Sequence, residues 1–223
     1  MENGGGAILS AAVTPGREGS RLTRSHRFSV AGVLGLVLSL LPGLLAYGQP
    51  ADESPAAMNA RLAGATLSHV GPSYLYPKQA TTPGLVNPNV TQANIQQTIC
   101  TSGFTDTVRP SSTVTTNLKK KQLKDIHASD QNASHYEEDH FISLELGGHP
   151  RDPRNLWPER WGTPGHPLTR LGPFPSHLVG AKTKDAVENA LRKAVCDGTL
   201  TLRAAQYIIA TDWFKYYRDA VLK

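Results

Sequence analysis

Apolar residues are distributed along the chain in three ways. Residues 28–46 form an uninterrupted run of nineteen without a charge, just long enough to span a bilayer. Residues 49–90 are sparse, with Pro50, Pro55, Pro72, Pro77, Pro83 and Pro88 among many Ala, Gly and Ser. Such composition buries little apolar surface and predicts a linker, with Tyr74-Leu75-Tyr76-Pro77 as its docking point. Compact structure is then expected from about Asn87 onward.

The rest of the chain is periodic. Ile95 and Ile99, four apart, predict a short helix over 90–100 capped by Thr91. Leu118, Leu123 and Ile126 predict another over 115–126. Alternation over 141–146 predicts a strand ending at Gly147-Gly148, followed by a loop over 149–154 and an extended segment at Asn155-Leu156-Trp157. Residues 161–180, with Pro164, Pro167, Pro173 and Pro175, predict a long loop. Val187, Ala190, Leu191, Ala194 and Val195 share one face of a helix opened by Thr183 and stopped by Asp197-Gly198. A last helix follows Thr201 through Leu202, Ala205, Ile208, Ile209 and Trp213. The fold class expected from this order is α+β.

Charge and cysteines add a compartment. Arg17, Arg21, Arg24 and Arg27 precede the apolar run, and Ala46-Tyr47-Gly48 places small residues at −3 and −1 of a cleavage site. Pro42-Gly43 favours a cleaved signal (residues 1–48) over an anchor at 28–46. Cleavage removes four Arg and two Glu and lowers the formal charge from +5 to +3. That mild excess permits a nucleic-acid partner without demanding one. Lys119, Lys120, Lys121 and Lys124 either track phosphates or form a solvated helix face. In an exported protein Cys100 and Cys196 are expected to pair, stabilising the fold by roughly 4–5 kcal/mol in the chain-entropy model; without export they would be two buried thiols.

The chemistry is concentrated in Tyr136-Glu137-Glu138-Asp139-His140, Leu144-Glu145-Leu146-Gly147-Gly148 and Asp152-Pro153-Arg154-Asn155-Leu156-Trp157-Pro158. These segments resemble the HNH, or His-Me finger, nuclease superfamily. The likeness extends more loosely from Lys184-Asp185-Ala186-Val187-Glu188-Asn189 to Cys196 and covers about half of residues 49–223. Residues 82–110 also look like the N-terminal part of small exported bacterial HNH-like proteins. The resemblance implies a small ββα-metal core within an HNH-like domain over 87–223, behind a linker over 49–86.

It also implies roles. A neutral imidazole can take a proton from water near neutral pH, so His140 is the expected general base. Asp139 is a hard oxygen ligand suited to Mg²⁺, with Mn²⁺ or Zn²⁺ as alternatives. Adjacent strand residues point to opposite faces, so the two share a site only at a bend or strand end. Asn155 matches the family's central Asn, which holds the loop and the base. The helix ligand departs from the family pattern, because the insertion at 160–180 delays the helix. Asn189 matches by residue type, while Glu188 and Asp185 are equally suitable oxygen donors.

Arg151, Arg154 and Arg160 either contact substrate phosphates or pair with Asp152 and Glu159. Trp157 reads as core in preference to a base-stacking platform. His135 and His149 lie near enough in sequence to approach a metal, and exposed loop positions are the simpler expectation.

The function expected is an exported, divalent-metal-dependent endonuclease without strong sequence specificity, acting on DNA in preference to RNA. It is secreted or periplasmic, with no stable membrane association once the signal is cleaved. The alternative is an inactive exported binding module that keeps the ββα scaffold.

Overall fold

The structure, a computed structural model, describes residues 53–69, 71–162 and 179–221. The 28–46 run, the cleavage site at 46–48 and most of the 161–180 loop lie outside the described residues. Among those described, no helix is long and apolar enough to cross a membrane.

Order begins earlier than expected. Ser54, whose hydroxyl accepts from Ala57 N at 3.2 Å, and Pro55 at the first turn start helix α1, Pro55–Gly64. Only Met58 and Leu62 of α1 are buried, but both are buried completely and join the core. Asn59 fastens the helix to the chain ahead, accepting from Val86 N at 2.7 Å and donating to Val86 O at 3.2 Å. Farther along, Leu75 and Tyr76 are buried and Trp213 Nε1 donates to Leu75 O. The linker expected over 49–86 is therefore corrected over its described residues. Two apolar residues one helical turn apart are enough to dock a helix, and averaging over a Pro-rich stretch conceals them.

Helix α2 is Phe104–Val108 and α3 is Ser112–Asp125, close to its expected place. The expected helix at 90–100 is a 3₁₀ segment, Gln92–Gln97, kinked at Asn94. Asn94 accepts from Thr91 N at 2.8 Å, a local bond that competes with an α-helical turn.

Strands β1, Tyr136–His140, and β2, Leu156–Arg160, form an antiparallel ribbon in which Asp139 faces Trp157 and His140 faces Leu156. The strand expected at 141–146 thus lies one segment earlier. Phe141, Ile142, Leu144 and Leu146 are all buried, so that run is not half-exposed. Ser143 Oγ accepts from Glu145 N and starts a 3₁₀ turn, Leu144–Leu146, instead.

Helix α4, Ala181–Cys196, buries Val187, Leu191 and Val195. Its N-cap is Gly180, three residues before the expected Thr183. Helix α5, Leu202–Thr211, follows Thr201 as expected, and Thr201 caps it by accepting from Ala204 N at 3.1 Å. Asp212, with φ −134°, breaks the expected long helix before α6, Trp213–Tyr216. The stripes of α4 and α5 pack with Trp213, Phe214 and Trp157 into one core, so Trp157 is a core residue.

Cys100 and Cys196 form a disulfide, Cα–Cα 5.6 Å, joining the 3₁₀ region to the end of α4. It is compatible with an extracellular location. The double variant Cys100→Ser/Cys196→Ser is expected to lose about 2–5 kcal/mol of stability. Urea unfolding beside the oxidised parent checks this, and equal midpoints would contradict it.

Candidate functional site

The fifteen-residue step from His140 to Asn155 is a loop, and Asn155 holds it together. Asn155 is fully buried. Its Nδ2 donates to Ile142 O at 2.9 Å and to His149 O at 3.0 Å, while Oδ1 accepts from Ile142 N at 2.9 Å and Leu85 N at 3.3 Å. All of the amide's capacity is spent on main chain. Residues 84–87 run along the loop's far side: His149 N donates to Leu85 O at 2.7 Å and Asn87 N to Gly147 O at 2.8 Å. Gln206 on α5 anchors it again through Leu146 O at 2.7 Å. Glycine is required at 148, because a Cβ there would collide with the Ile142 carbonyl oxygen. Gly147, at φ +71°, takes the left-handed turn that precedes it.

This loop sets the state of His140. The ring's Nε2 lies 3.0 Å from Pro150 O. A carbonyl only accepts, so Nε2 carries the proton and Nδ1 is left as the acceptor. Burial lowers the imidazole's pKa from its ordinary value; the Pro150 bond and Asp139 oppose this, and Arg109 and Lys184 add to it. The neutral form is therefore favoured at pH 7. His140 lines a cavity of about 290 Å³ with Glu138, Arg109, Ser112, Thr115 and Lys119. Arg109 is exposed, and Lys119 donates to Tyr136 O at 2.6 Å. Glu138 is buried with neither oxygen bonded, and burial, followed by the charge of Asp139, pushes its pKa up to about 8. Glu137, half-buried beside it, is pushed up to about 7 for the same reasons.

Asp139 turns elsewhere. Its Oδ2 accepts from Lys184 Nζ on α4 at 2.7 Å, and the same ammonium donates to Glu188 Oε1 at 2.5 Å and to His140 O at 3.0 Å. Burial works against the Lys184 charge, but Asp139, Glu188 and Glu159 outweigh it and hold the pKa above the ordinary lysine range. Glu188 Oε2 accepts from Ser143 Oγ at 2.7 Å. Glu159, fully enclosed on β2, is pushed well up by burial and then by Asp139.

No family model, curated protein or solved structure matches the chain.

His140 and Asn155 stand where the sequence places them, at the two ends of one loop. Asp139 and His140 adjoin at a strand end, yet one side chain meets α4 and the other a cavity beside α3. The expected metal ligands do not assemble. Asn189 is exposed and donates to Asp185 O at 2.8 Å. Asp185 pairs with Lys182 at 3.5 Å. Asp139 and Glu188 do converge, but on a lysine. Among the described residues no group of three His, Cys, Asp or Glu side chains is arranged to hold a metal. The donor set as folded does not fit a divalent ion, since the oxygens suited to it already bind Lys184.

Two of the three expected phosphate-binding arginines are engaged within the protein. Arg154 pairs with Asp152 through two bonds of 3.0 and 2.7 Å. Arg160 pairs with Asp130 at 3.1 Å, not with Glu159, and covers the Tyr136 ring. Arg151 is exposed in the loop beside Pro150. His149 serves the loop itself, Nδ1 accepting from Asp152 N at 3.0 Å, and His135 pairs with Asp130 at 2.8 Å.

Sequence reading missed Arg109, Glu138 and Lys184. Only Lys184 carried a signal, its i,i+4 spacing to Glu188, which on most helices is a solvated surface pair.

Proposed function

We propose that the chain is an exported hydrolase of phosphodiester bonds in nucleic acid, with His140 as its general base. The observation that carries this is the state of His140: Nε2–H held by the Pro150 carbonyl, Nδ1 with no partner among the described residues, and a cavity lined by two cations. In the reaction water attacks phosphorus and its proton passes to Nδ1. The bond to the leaving oxygen breaks, and that oxygen is protonated from solvent. Arg109 and Lys119 meet the charge on the phosphoryl oxygens. DNA is the first substrate to test and RNA the second; no sequence preference is proposed.

Supercoiled plasmid and single-stranded RNA, incubated with the purified protein, test this directly. Arg109→Ala is expected to lower kcat/KM about 10- to 100-fold, the worth of one charge-assisted hydrogen bond to phosphate. An unchanged value would remove Arg109 from the site.

A second reading is a non-catalytic binding module, favoured by the closed network in which Asp139 and Glu188 are bound to Lys184. Retained nucleic-acid binding without cleavage of either substrate would select it.

A further inference from the structure

We propose that Lys184 is the resident cation of this site, standing in place of a divalent metal ion, so that the protein neither needs nor binds one between Asp139 and Glu188. The part concerning need rests on the phosphodiesterase reading; the part concerning binding does not.

The Lys184 side chain is 1 % exposed. An ammonium has three N–H groups, and here each has one oxygen acceptor: Asp139 Oδ2, Glu188 Oε1 and the His140 carbonyl. Two carboxylates and a main-chain carbonyl converging on one point are the donor types that a hard divalent ion takes. They come from two elements: Asp139 and His140 from β1, and Glu188 from α4. The chain has built an oxygen cradle and filled it with a charge of its own.

That charge is difficult to displace. Removing one member of a buried ion pair leaves an uncompensated charge in a poorly solvated place. Nor can Glu188 turn freely to a metal, because Ser143 Oγ holds its other oxygen at 2.7 Å. With every N–H used, Lys184 has none left for substrate, so it touches no reacting atom. Charge on the phosphate falls to Arg109 and Lys119, which line the cavity beside His140.

The experiment is metal binding by the full chain, stripped with chelator and titrated with Mn²⁺, read by thermal unfolding and by the paramagnetic signal of free Mn²⁺. The parent is expected to show no Mn²⁺-dependent shift and no stoichiometric uptake. Lys184→Ala empties the cradle and is expected to take up one Mn²⁺, its midpoint rising by several degrees at about 100-fold excess over Kd. The double variant Lys184→Ala/Asp139→Asn should lose both effects. One Mn²⁺ bound by the parent and lost in Asp139→Asn alone would overturn the proposal. So would a folded Lys184→Ala protein that takes up no Mn²⁺. Should Lys184→Ala not fold unaided, refolding with Mn²⁺ but not with chelator supports the cradle, and the parent titration still decides the matter.

Cleavage forms a separate arm. Parent activity should be unchanged by chelator, and activity lost to chelator and restored by Mg²⁺ would overturn the proposal. Absence of cleavage under every condition would remove the phosphodiesterase reading, leaving the binding arm to judge Lys184.

Discussion

His140→Ala is expected to slow phosphodiester cleavage by about 10²- to 10⁴-fold, the usual contribution of a positioned general base. The disulfide and overall fold should survive. The variant forfeits the bond from Nε2 to Pro150 O and leaves that carbonyl bare, at a cost of about 1–3 kcal/mol. A rate loss of this size with a folded protein separates chemistry from structure. Full activity in a nuclease-free preparation would end the assignment.

The pH dependence gives the same residue a second test. Burial lowers the His140 pKa from its ordinary value of 6.5. Only the neutral ring accepts a proton, so kcat/KM should rise with pH through a midpoint below 6.5. Stability follows the same sign. As pH falls below 6.5 the unfolded chain takes up a proton that the folded ring resists, so the folded state loses stability toward the lowered pKa. An acid limb centred above 6.5 would mean that another group governs the rate.

Asn155→Ala should cost about 3–5 kcal/mol, near the upper end for a single substitution. The side chain satisfies four main-chain groups at once, on Leu85, Ile142 and His149. Alanine leaves them buried around a void. Asn155→Asp gives no rescue, since a carboxylate donates nothing to the carbonyls of Ile142 and His149. Because the same loop carries Pro150, activity should fall along with stability. Denaturant unfolding of the oxidised protein measures the first effect, and a loss under 1 kcal/mol would show that the loop is held by other means.

The four partners of Asn155 also show what was legible beforehand. Asn155 and His140 could be singled out because they lie in short, distinctive strings of residues. The carbonyl that sets the tautomer of His140 could not, since every residue has one. Arg154 and Arg160 looked available for phosphate, and whether an arginine is free depends on acids that folding brings close. For Arg154 that acid is two residues away, and for Arg160 it is Asp130, thirty residues back. Arg109 drew no attention because nothing around it in sequence is chemical; it matters only through the cavity it shares with His140.

By itself the sequence determined the local periodic parts. The stripe Val187, Leu191 and Val195 specifies α4, the stripe that follows Thr201 specifies α5, and two cysteines allow a single bridge. Each rests on neighbours within a turn or two, or on there being a single way to pair. Tertiary structure alone decided that Pro55–Gly64 belongs to the core, and that Asp139 and Glu188 meet on Lys184. Asp139 and Lys184 are forty-five residues apart, and no local preference records their approach. A buried charge takes whichever partner the packing brings to it, so the partner of Asp139 was decided where β1 and α4 close on one another.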